Sequence, residues 1–328
     1  MEYRQLGKTD LVVSRICFGC WQLSPKFWGE VAIEPWHEAL KAALDCGVNF
    51  VDTADAYGDG YAESSLGEYL AAQKLRERFI IATKFYWNFE GKQRHPDTRY
   101  EYILRECEAS LARLKTDYID LYQIHAFDPL TVPEEVGAAF GRLKKEGKVR
   151  WFGVSNLNVE QMRMYGRHFE VSSLQPPYSL LSRTIESSEL PYCRAERIGV
   201  IPYSPLYRGL LTGKYARDHV FTDSRSSARY FTGTPFQAIM DGLDELRPIA
   251  ADLGLDLAQL AIRWIATHPA ITAPIVGIKT PDHITGIAKA VEAPLPVDLW
   301  HRVAGIVAAA RQAADEAADR AARKPAGV

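Results

Sequence analysis

The composition of the 328-residue chain is that of an ordinary globular protein, with 47% hydrophobic and 24% charged residues. The formal net charge of −2 argues against nucleic acid or an anionic membrane as the main partner, because neither polyanion would attract the chain. The N-terminus is polar and no apolar run reaches membrane-spanning length, so we expect a cytoplasmic protein.

Short β-branched runs alternate with longer amphipathic segments along the chain. The predicted strands, in chain order, are residues 15–18, 48–52, 79–83, 118–124, 149–154, 171–174, 199–202 and 271–276. The predicted helices include residues 35–46, 98–114, 133–146, 159–167, 237–253, 257–268 and 281–290. Alternation of strand and helix implies an α/β fold with a parallel sheet. Eight such units favour closure of the sheet into a (β/α)8 TIM barrel.

Three further segments lie outside this alternation. Residues 3–13 predict a β-hairpin before the first barrel strand, because a Gly-Lys-Thr-Asp turn joins two short runs. Residues 207–235 form a long loop rich in Gly, Ser, Thr and Arg, which is typical of a lid or binding loop. Residues 308–328 are expected to be a polar, Ala-rich C-terminal tail, with a surface helix that frays into it. The whole chain, 1–328, is thus predicted to be one barrel domain with extra C-terminal helices.

The five cysteines are odd in number and scattered, at Cys17, Cys20, Cys46, Cys107 and Cys193. The C-x-x-C pair lacks the second ligand pair of a zinc site and the context of a redox motif. The histidines also show no metal-ligand spacing. We therefore expect reduced, mostly buried thiols and no metal.

Polar side chains follow three consecutive predicted strands. Asp52 ends the second strand and Tyr57 lies in the loop after it, while Lys84 follows the third strand and His125 the fourth. Each residue alone has an ordinary structural explanation, such as a cap, a packed ring or a solvated charge. Active sites of such barrels lie at the carboxyl ends of the strands, so together these residues predict a proton-transfer set.

Their chemistry suits carbonyl reduction, which needs a proton at oxygen as hydride arrives at carbon. A free tyrosine has a pKa of about 10 and is a weak acid at neutral pH. We expect Lys84 to lower the pKa of Tyr57 and Asp52 to hold Lys84 in place. His125 would orient the carbonyl oxygen by hydrogen bonding.

Several motifs resemble the signature of the aldo-keto reductase superfamily. They are Asp-Thr-Ala-Asp-Ala-Tyr-Gly at 52–58 with Glu63 and Gly67, Asp-Tyr-Ile-Asp-Leu-Tyr at 117–122, and Gly-Val-Ser-Asn at 153–156. The resemblance covers roughly residues 3–290, with the motifs in the expected order. It is strongest to the microbial branch that includes inositol-operon and general-stress reductases, and to potassium-channel β-subunits.

The resemblance implies a nicotinamide cofactor and its contacts. The residues implied at the nicotinamide and its ribose are Gly19, Trp21, Asp52, Ser155, Asn156, Gln175 and Tyr203. Those implied at the pyrophosphate are Ser204, Pro205, Leu206, Gly209 and Lys214, with Arg225 as a clamp. Those implied around the adenosine ribose and any 2′-phosphate are Gly277, Lys279 and His283.

The chain departs from the common pattern at the adenosine end. Many relatives carry Arg at the position of Lys279, Gln at that of His283 and Asn at that of Ile287. A lysine meets a phosphate as a point charge, without the bidentate fork of arginine. We therefore predict that NADP(H) is preferred, and NAD(H) remains an alternative.

Aromatic residues dominate the predicted substrate pocket. Its members are Trp21, Tyr57, Tyr86, Trp87, His125 and Phe127. Aromatic walls with few charges suit neutral carbonyl substrates, either aldehydes or sugar-like molecules.

The resemblance thus implies an NADP(H)-dependent oxidoreductase that interconverts an aldehyde, ketone or sugar carbonyl and its alcohol, with Tyr57 as general acid or base. The alternative is a regulatory subunit that senses the cofactor and turns over little. A barrel that has lost its chemistry has little support, because no member of the catalytic set is missing. The sequence leaves open the physiological substrate, the reaction direction and whether the chain forms a homo-oligomer.

Overall fold

The computed structural model describes residues 1–29, 31–90 and 93–323. Its strands are β1 (Tyr3–Gln5), β2 (Val12–Ser14), β3 (Cys17–Gly19), β4 (Phe50–Asp52), β5 (Ile80–Phe85), β6 (Trp87–Asn88), β7 (His95–Pro96), β8 (Ile119–Ile124), β9 (Val149–Ser155), β10 (Ser173–Gln175), β11 (Gly199–Val200) and β12 (Ile275–Gly277). Its α-helices are α1 (Pro25–Trp28), α2 (Ile33–Asp45), α3 (Tyr61–Gln73), α4 (Tyr100–Leu114), α5 (Pro133–Lys145), α6 (Val159–Tyr165), α7 (Glu189–Glu196), α8 (Gly233–Asp252), α9 (Leu257–Thr267), α10 (Pro281–Ala290) and α11 (Val297–Arg323). Short 3₁₀ turns lie at Trp21–Leu23, Arg76–Arg78, Thr184–Glu186 and Tyr207–Thr212.

A parallel sheet forms the centre of the molecule, with strand order β12–β3–β4–β5–β8–β9–β10–β11. The two outer strands, β11 and β12, also meet, because Val200 forms a parallel bridge with Ile271. The Thr272 N–H donates to the Val200 carbonyl oxygen at 2.8 Å, and the Ile275 N–H donates to the Pro202 carbonyl oxygen at 2.8 Å. The sheet closes on itself, which confirms the predicted (β/α)8 barrel.

Helix α5 shows how the amphipathic segments cover the barrel. Its buried side chains are Val136, Ala139, Phe140 and Leu143. Their spacing of three and four residues places them on one face of the helix, as the sequence predicts. The Phe140 ring stacks on the Phe152 ring of β9 with 4.1 Å between the ring centroids. The apolar face of α5 therefore packs directly on the sheet.

The predicted N-terminal hairpin is confirmed by β1 and β2, which pair antiparallel with Tyr3 opposite Ser14. Between them, Leu6 is fully buried. Gly7 has a φ of +57° and lies against the first residue of β11, where an added Cβ would come within 2.7 Å of the Gly199 nitrogen. The hairpin thus covers the amino-terminal ends of the strands and leaves their carboxyl ends open.

Helix α3 is not among the helices predicted from the sequence. Its buried residues are Ala62, Glu63, Ser65, Leu66, Gly67 and Leu70. Gly67 lies against the end of α4, where an added Cβ would come within 2.5 Å of the Leu114 carbonyl carbon. The buried carboxylate and the glycine interrupt the apolar stripe of Ala62, Leu66 and Leu70, so the amphipathic pattern that predicts a helix from sequence is weak.

The Ala-rich C-terminal segment from residue 308 is helical through Arg323, as part of α11. Ala314 and Ala317 are buried. Helix α11 packs against α8, where an added Cβ on Gly242 would lie 2.5 Å from the Ala310 Cβ. Small side chains permit this close approach of the two helices. Residues 324–328 lie outside the described residues.

No helix in the described part of the chain has both the length and the apolar character needed to span a bilayer. The thiols are free, and burial agrees with the sequence prediction for all but Cys46, which is half-exposed. Burial raises the pKa of Cys17 and of Cys20 well above the ordinary thiol value. The C-x-x-C pair is therefore part of the barrel interior.

Candidate active site

Three neighbouring strands carry the predicted catalytic residues at their carboxyl ends. Strand β4 ends at Asp52, Lys84 is the second-last residue of β5, and His125 directly follows β8. Because β4, β5 and β8 are adjacent in the sheet, these residues meet at one edge of the barrel. Tyr57 reaches the same edge from the loop after β4, where it contacts Lys84.

The Lys84 ammonium is fully buried and joins the carboxylate to the phenol. Its Nζ donates to Asp52 Oδ1 at 2.6 Å, to the Thr53 carbonyl oxygen at 2.8 Å and to Tyr57 Oη at 3.0 Å. These contacts use all three N–H donors of the ammonium. Burial by itself lowers the pKa of Lys84, but Asp52 and Tyr57 raise it above its ordinary value, so the lysine stays charged.

Two glutamines hold the second oxygen of Asp52. Gln175 Nε2 donates to Asp52 Oδ2 at 2.8 Å, and Gln123 Nε2 lies 3.5 Å from the same oxygen. Burial raises the pKa of Asp52, while Lys84 and the two amides oppose the rise. The glutamines fix the orientation of the carboxylate, and Gln123 was not predicted from the sequence although it lies within β8.

Burial also sets the protonation of Tyr57 and His125. It raises the pKa of Tyr57 to about 12, while Lys84 opposes the rise. Lys84 thus acts on the pKa of Tyr57 in the expected direction, but burial outweighs the ammonium, so the pKa lies above its ordinary value. Burial and the charge of Lys84 lower the pKa of His125 to about 3. At neutral pH the phenol holds its proton and the imidazole is neutral.

The His125 ring stands beside the phenol. The two ring centroids are 6.1 Å apart in an edge-to-face arrangement. His125 Nδ1 is buried, and none of the described residues forms a hydrogen bond with it. A neutral imidazole beside a protonated phenol presents two hydrogen-bonding groups suited to one carbonyl oxygen.

A hydrogen-bonded group of polar residues lies beside the predicted catalytic residues. Its members are residues predicted to contact the nicotinamide. Asn156 has a left-handed backbone, with a φ of 60°. Its Nδ2 donates to the His125 carbonyl oxygen and to Ser155 Oγ, both at 3.0 Å. Tyr203 Oη donates to Asn156 Oδ1 at 2.8 Å, and Ser155 Oγ donates to the Gln175 carbonyl oxygen at 2.8 Å. These bonds join the ends of β8, β9 and β10.

A cavity of about 1010 Å³ opens over the carboxyl ends of the strands. All residues that the resemblance implies for the cofactor line it, namely Gly19, Trp21, Asp52, Ser155, Asn156, Gln175, Tyr203, Ser204, Pro205, Leu206, Gly209, Lys214, Arg225, Gly277, Lys279 and His283. The structure therefore brings these residues together, and their individual roles stay predictions.

The predicted substrate residues divide into two groups. Trp21, Tyr57, Trp87 and His125 line the cavity. Tyr86 and Phe127 are not brought to its wall: Tyr86 is 8% exposed, and its hydroxyl donates to the Phe127 carbonyl oxygen at 3.2 Å. Successive side chains of an extended chain point to opposite sides, so Trp87 faces the cavity while its neighbour does not.

Other cavity residues were not assigned from the sequence. They include Gln22, Arg94, Arg208, Thr212, Tyr215, Asp256, Gln259 and Asp282. Each lies in a loop after a strand or at the start of α9 or α10. That position is the available signal, but which loop side chains turn toward the cavity depends on tertiary packing.

One end of the cavity is cationic and fits the phosphates of a dinucleotide. Lys214, Arg225 and Lys279 line it, and burial together with the other two cations lowers the pKa of Lys279. Arg225 is paired with Asp223 at 2.6 Å. Within the described ranges, no carboxylate forms an ion pair with Lys214 or Lys279. Lys214 and Lys279 are therefore clustered cations without a carboxylate partner among the described residues, and such cations suit an anionic ligand.

Comparison with known proteins agrees with this chemistry. The Aldo/keto reductase family model matches residues 15–308. The chain is 35% identical over 292 residues to the aldo-keto reductase YhdN of Bacillus subtilis, covering 88% of each protein. It is 32% identical over 300 residues to the NADH-specific methylglyoxal reductase of Escherichia coli, covering 87% of this chain and 91% of the relative.

A solved structure agrees as well. The glycerol dehydrogenase of Gluconobacter oxydans superimposes with a TM-score of 0.86 at 31% identity, covering 93% of this chain and 94% of that protein. The family model, the relatives and this structure all match most of the chain, and the family model spans β4, β5 and β8. The chain belongs to the aldo/keto reductase family and is an oxidoreductase of that family.

Proposed function

We propose that the protein is an NADP(H)-dependent reductase that interconverts an aldehyde, ketone or sugar carbonyl and the corresponding alcohol. The observation that carries this proposal is the buried Lys84 ammonium, bonded to both Asp52 and Tyr57 at the wall of a large cavity. A buried charge of this kind is costly unless it is paired, and here it is aimed at a phenol that can move a proton.

Tyr57 gives its phenolic proton to the carbonyl oxygen in reduction and takes a proton from the alcohol in oxidation. The bound nicotinamide supplies or accepts the hydride at the carbon. Lys84 stabilises the phenolate that forms, and Asp52 keeps the ammonium in place. Neutral His125 hydrogen-bonds the substrate oxygen and so orients the carbonyl toward the phenol.

The cationic end of the cavity supports the preference for NADP(H). Lys279 and Lys214 could meet a 2′-phosphate or the pyrophosphate without first giving up a carboxylate partner. Asp282 lines the same cavity and acts electrostatically on His283. A carboxylate there can accept hydrogen bonds from ribose hydroxyls, so we propose that NAD(H) binds as well, more weakly. The Escherichia coli relative is named as NADH-specific, so NAD(H) use has a precedent in the family.

Lys279→Met is expected to weaken NADP binding by roughly 10-fold or more and to change NAD binding little, because a charged hydrogen bond to phosphate contributes about 1.5–3 kcal/mol. Titration of protein fluorescence with each cofactor measures both affinities. Lys289→Met is the matched control, since Lys289 is an exposed lysine in the last turn of α10, the helix that follows Lys279. Equal losses for NADP and NAD in the Lys279 variant would contradict a 2′-phosphate contact.

The reaction itself is tested by following NADPH oxidation with a panel of aldehydes and ketosugars. We expect turnover with several aldehydes and saturation in both substrates. Tight cofactor binding with no turnover on any compound would instead favour a cofactor-sensing regulatory subunit.

A further inference from the structure

A short hairpin after β5 brings an unassigned cation to the cavity. Strands β6 and β7 pair antiparallel, with Trp87 opposite Pro96 and Asn88 opposite His95. Trp87 and Arg94 both line the cavity that also contains Tyr57. The hairpin therefore presents an aromatic ring and a guanidinium to the same space as the proposed proton donor.

Two contacts hold the guanidinium of Arg94 in place. It forms an ion pair with Asp59, which lies two positions after Tyr57 in the loop following β4. It also lies over the Phe89 ring, with 4.9 Å from its central carbon to the ring centroid. The Asp59 carboxylate is 63% exposed and is not part of the cavity wall, whereas Arg94 is. A guanidinium has five N–H donors, so a single carboxylate leaves some of them free to bond a ligand.

Arg94 is separated from the cations at the cofactor end. Lys214 and Arg225 lie in the long segment after β11, and β5 is four strands from β11 in either direction around the barrel. Arg94 thus lies across the barrel from the proposed phosphate contacts. Its neighbours are instead strand β6, which carries Trp87, and the loop after β4, which carries Tyr57. These positions assign its charge to the substrate end of the cavity.

We propose, resting on the reductase function above, that Arg94 selects carbonyl substrates that carry a carboxylate remote from the reacting carbon. The planar fork of arginine matches a carboxylate through two parallel hydrogen bonds. The apolar body of such a substrate would lie against Trp87 and Trp21, while its carbonyl meets Tyr57. The Arg94 guanidinium would then distinguish an acidic aldehyde from a neutral one.

The test uses matched substrates with and without the carboxylate: 4-carboxybenzaldehyde against 4-methylbenzaldehyde, and succinic semialdehyde against butanal. Arg94→Met is expected to lower kcat/KM for the acidic member of each pair by roughly 10- to 100-fold, mainly by raising KM. The neutral members should change little. Arg94→Lys keeps the charge but not the fork, so we expect it to recover part of the loss.

Arg105→Met is the matched control. Arg105 forms an ion pair with Glu90 at 3.2 Å and lies over the Tyr102 ring at 5.4 Å, so it has the same two kinds of partner as Arg94. It does not line the cavity. This variant should leave the preference between acidic and neutral aldehydes unchanged.

A binding measurement separates this inference from the reductase function. Calorimetric titration of 4-(hydroxymethyl)benzoate in the presence of NADP compares the wild type with Arg94→Met without any turnover. A loss of binding confined to the Arg94 variant supports the inference. The inference would be overturned if Arg94→Met bound 4-(hydroxymethyl)benzoate as tightly as the wild type. It would also be overturned if the variant lost kcat/KM equally for the acidic and neutral aldehydes. Absence of turnover on every aldehyde would contradict the reductase function alone.

Discussion

Tyr57→Phe is expected to lower kcat for carbonyl reduction by roughly 10²- to 10⁴-fold, because the variant keeps the ring but has no proton to give. Cofactor affinity should change little. The phenol hydroxyl contacts Lys84 at 3.0 Å, whereas the proposed cofactor contacts other than Asp52 lie on other strands and loops. Steady-state kinetics with one aldehyde, together with fluorescence titration of NADP, measures the two effects separately.

Tyr86→Phe is the control for loss of a buried tyrosine hydroxyl near the site. Tyr86 donates to a backbone carbonyl and does not line the cavity, so its removal should leave kcat within a few-fold of the wild type. If Tyr57→Phe retained full turnover, the proton donor would have to be another group. The pH profile offers a second check: because burial raises the pKa of Tyr57 to about 12, reduction should not lose its proton donor until the pH approaches that value.

Lys84→Met is expected to abolish turnover and also to lower the free energy of unfolding by about 3–5 kcal/mol, because it leaves the buried Asp52 carboxylate without its cation. Asp52 is 1% exposed and Lys84 is fully buried, so water cannot replace the lost contact. Urea denaturation followed by circular dichroism measures the stability, and the aldehyde assay measures turnover.

The double variant Asp52→Asn with Lys84→Met separates charge from packing. Removing the carboxylate charge as well should recover part of the lost stability and none of the turnover. Lys41→Met, at an exposed position on α2, should change the free energy of unfolding by no more than about 0.5 kcal/mol. If the Lys84 single variant were as stable as the wild type, the pair would not be the buried ion pair described here.

Sequence patterns predicted the barrel because they are local. Strand β8 and helix α5 can each be recognised from the spacing of their own apolar residues, and alternation of such units leaves few topologies. Helix α3 was not predicted in this way, because its amphipathic pattern is weak. Its inner face carries Glu63 and Gly67, whose burial depends on a neighbouring helix far along the chain.

For the proposed catalytic residues, too, the sequence predicted one part and the tertiary structure decided the other. Residue types at strand ends were enough to select Asp52, Tyr57, Lys84 and His125, because parallel strands bring their carboxyl ends to one edge. The effect of Lys84 on the pKa of Tyr57 was predicted in the right direction, but the net pKa also depends on how much water the fold removes. Sequence shows the ammonium but not the burial that outweighs it.

The amino-acid sequence by itself thus determined the fold and the family and selected the proposed catalytic residues, since each follows from periodicity or from motifs of adjacent residues. The tertiary structure alone decided which loop side chains reach the cavity. It placed Arg94 on the wall and kept Tyr86 and Phe127 away from it. The physical reason is that loop side chains are oriented by contacts with distant segments, such as the ion pair between Arg94 and Asp59, which no local pattern records.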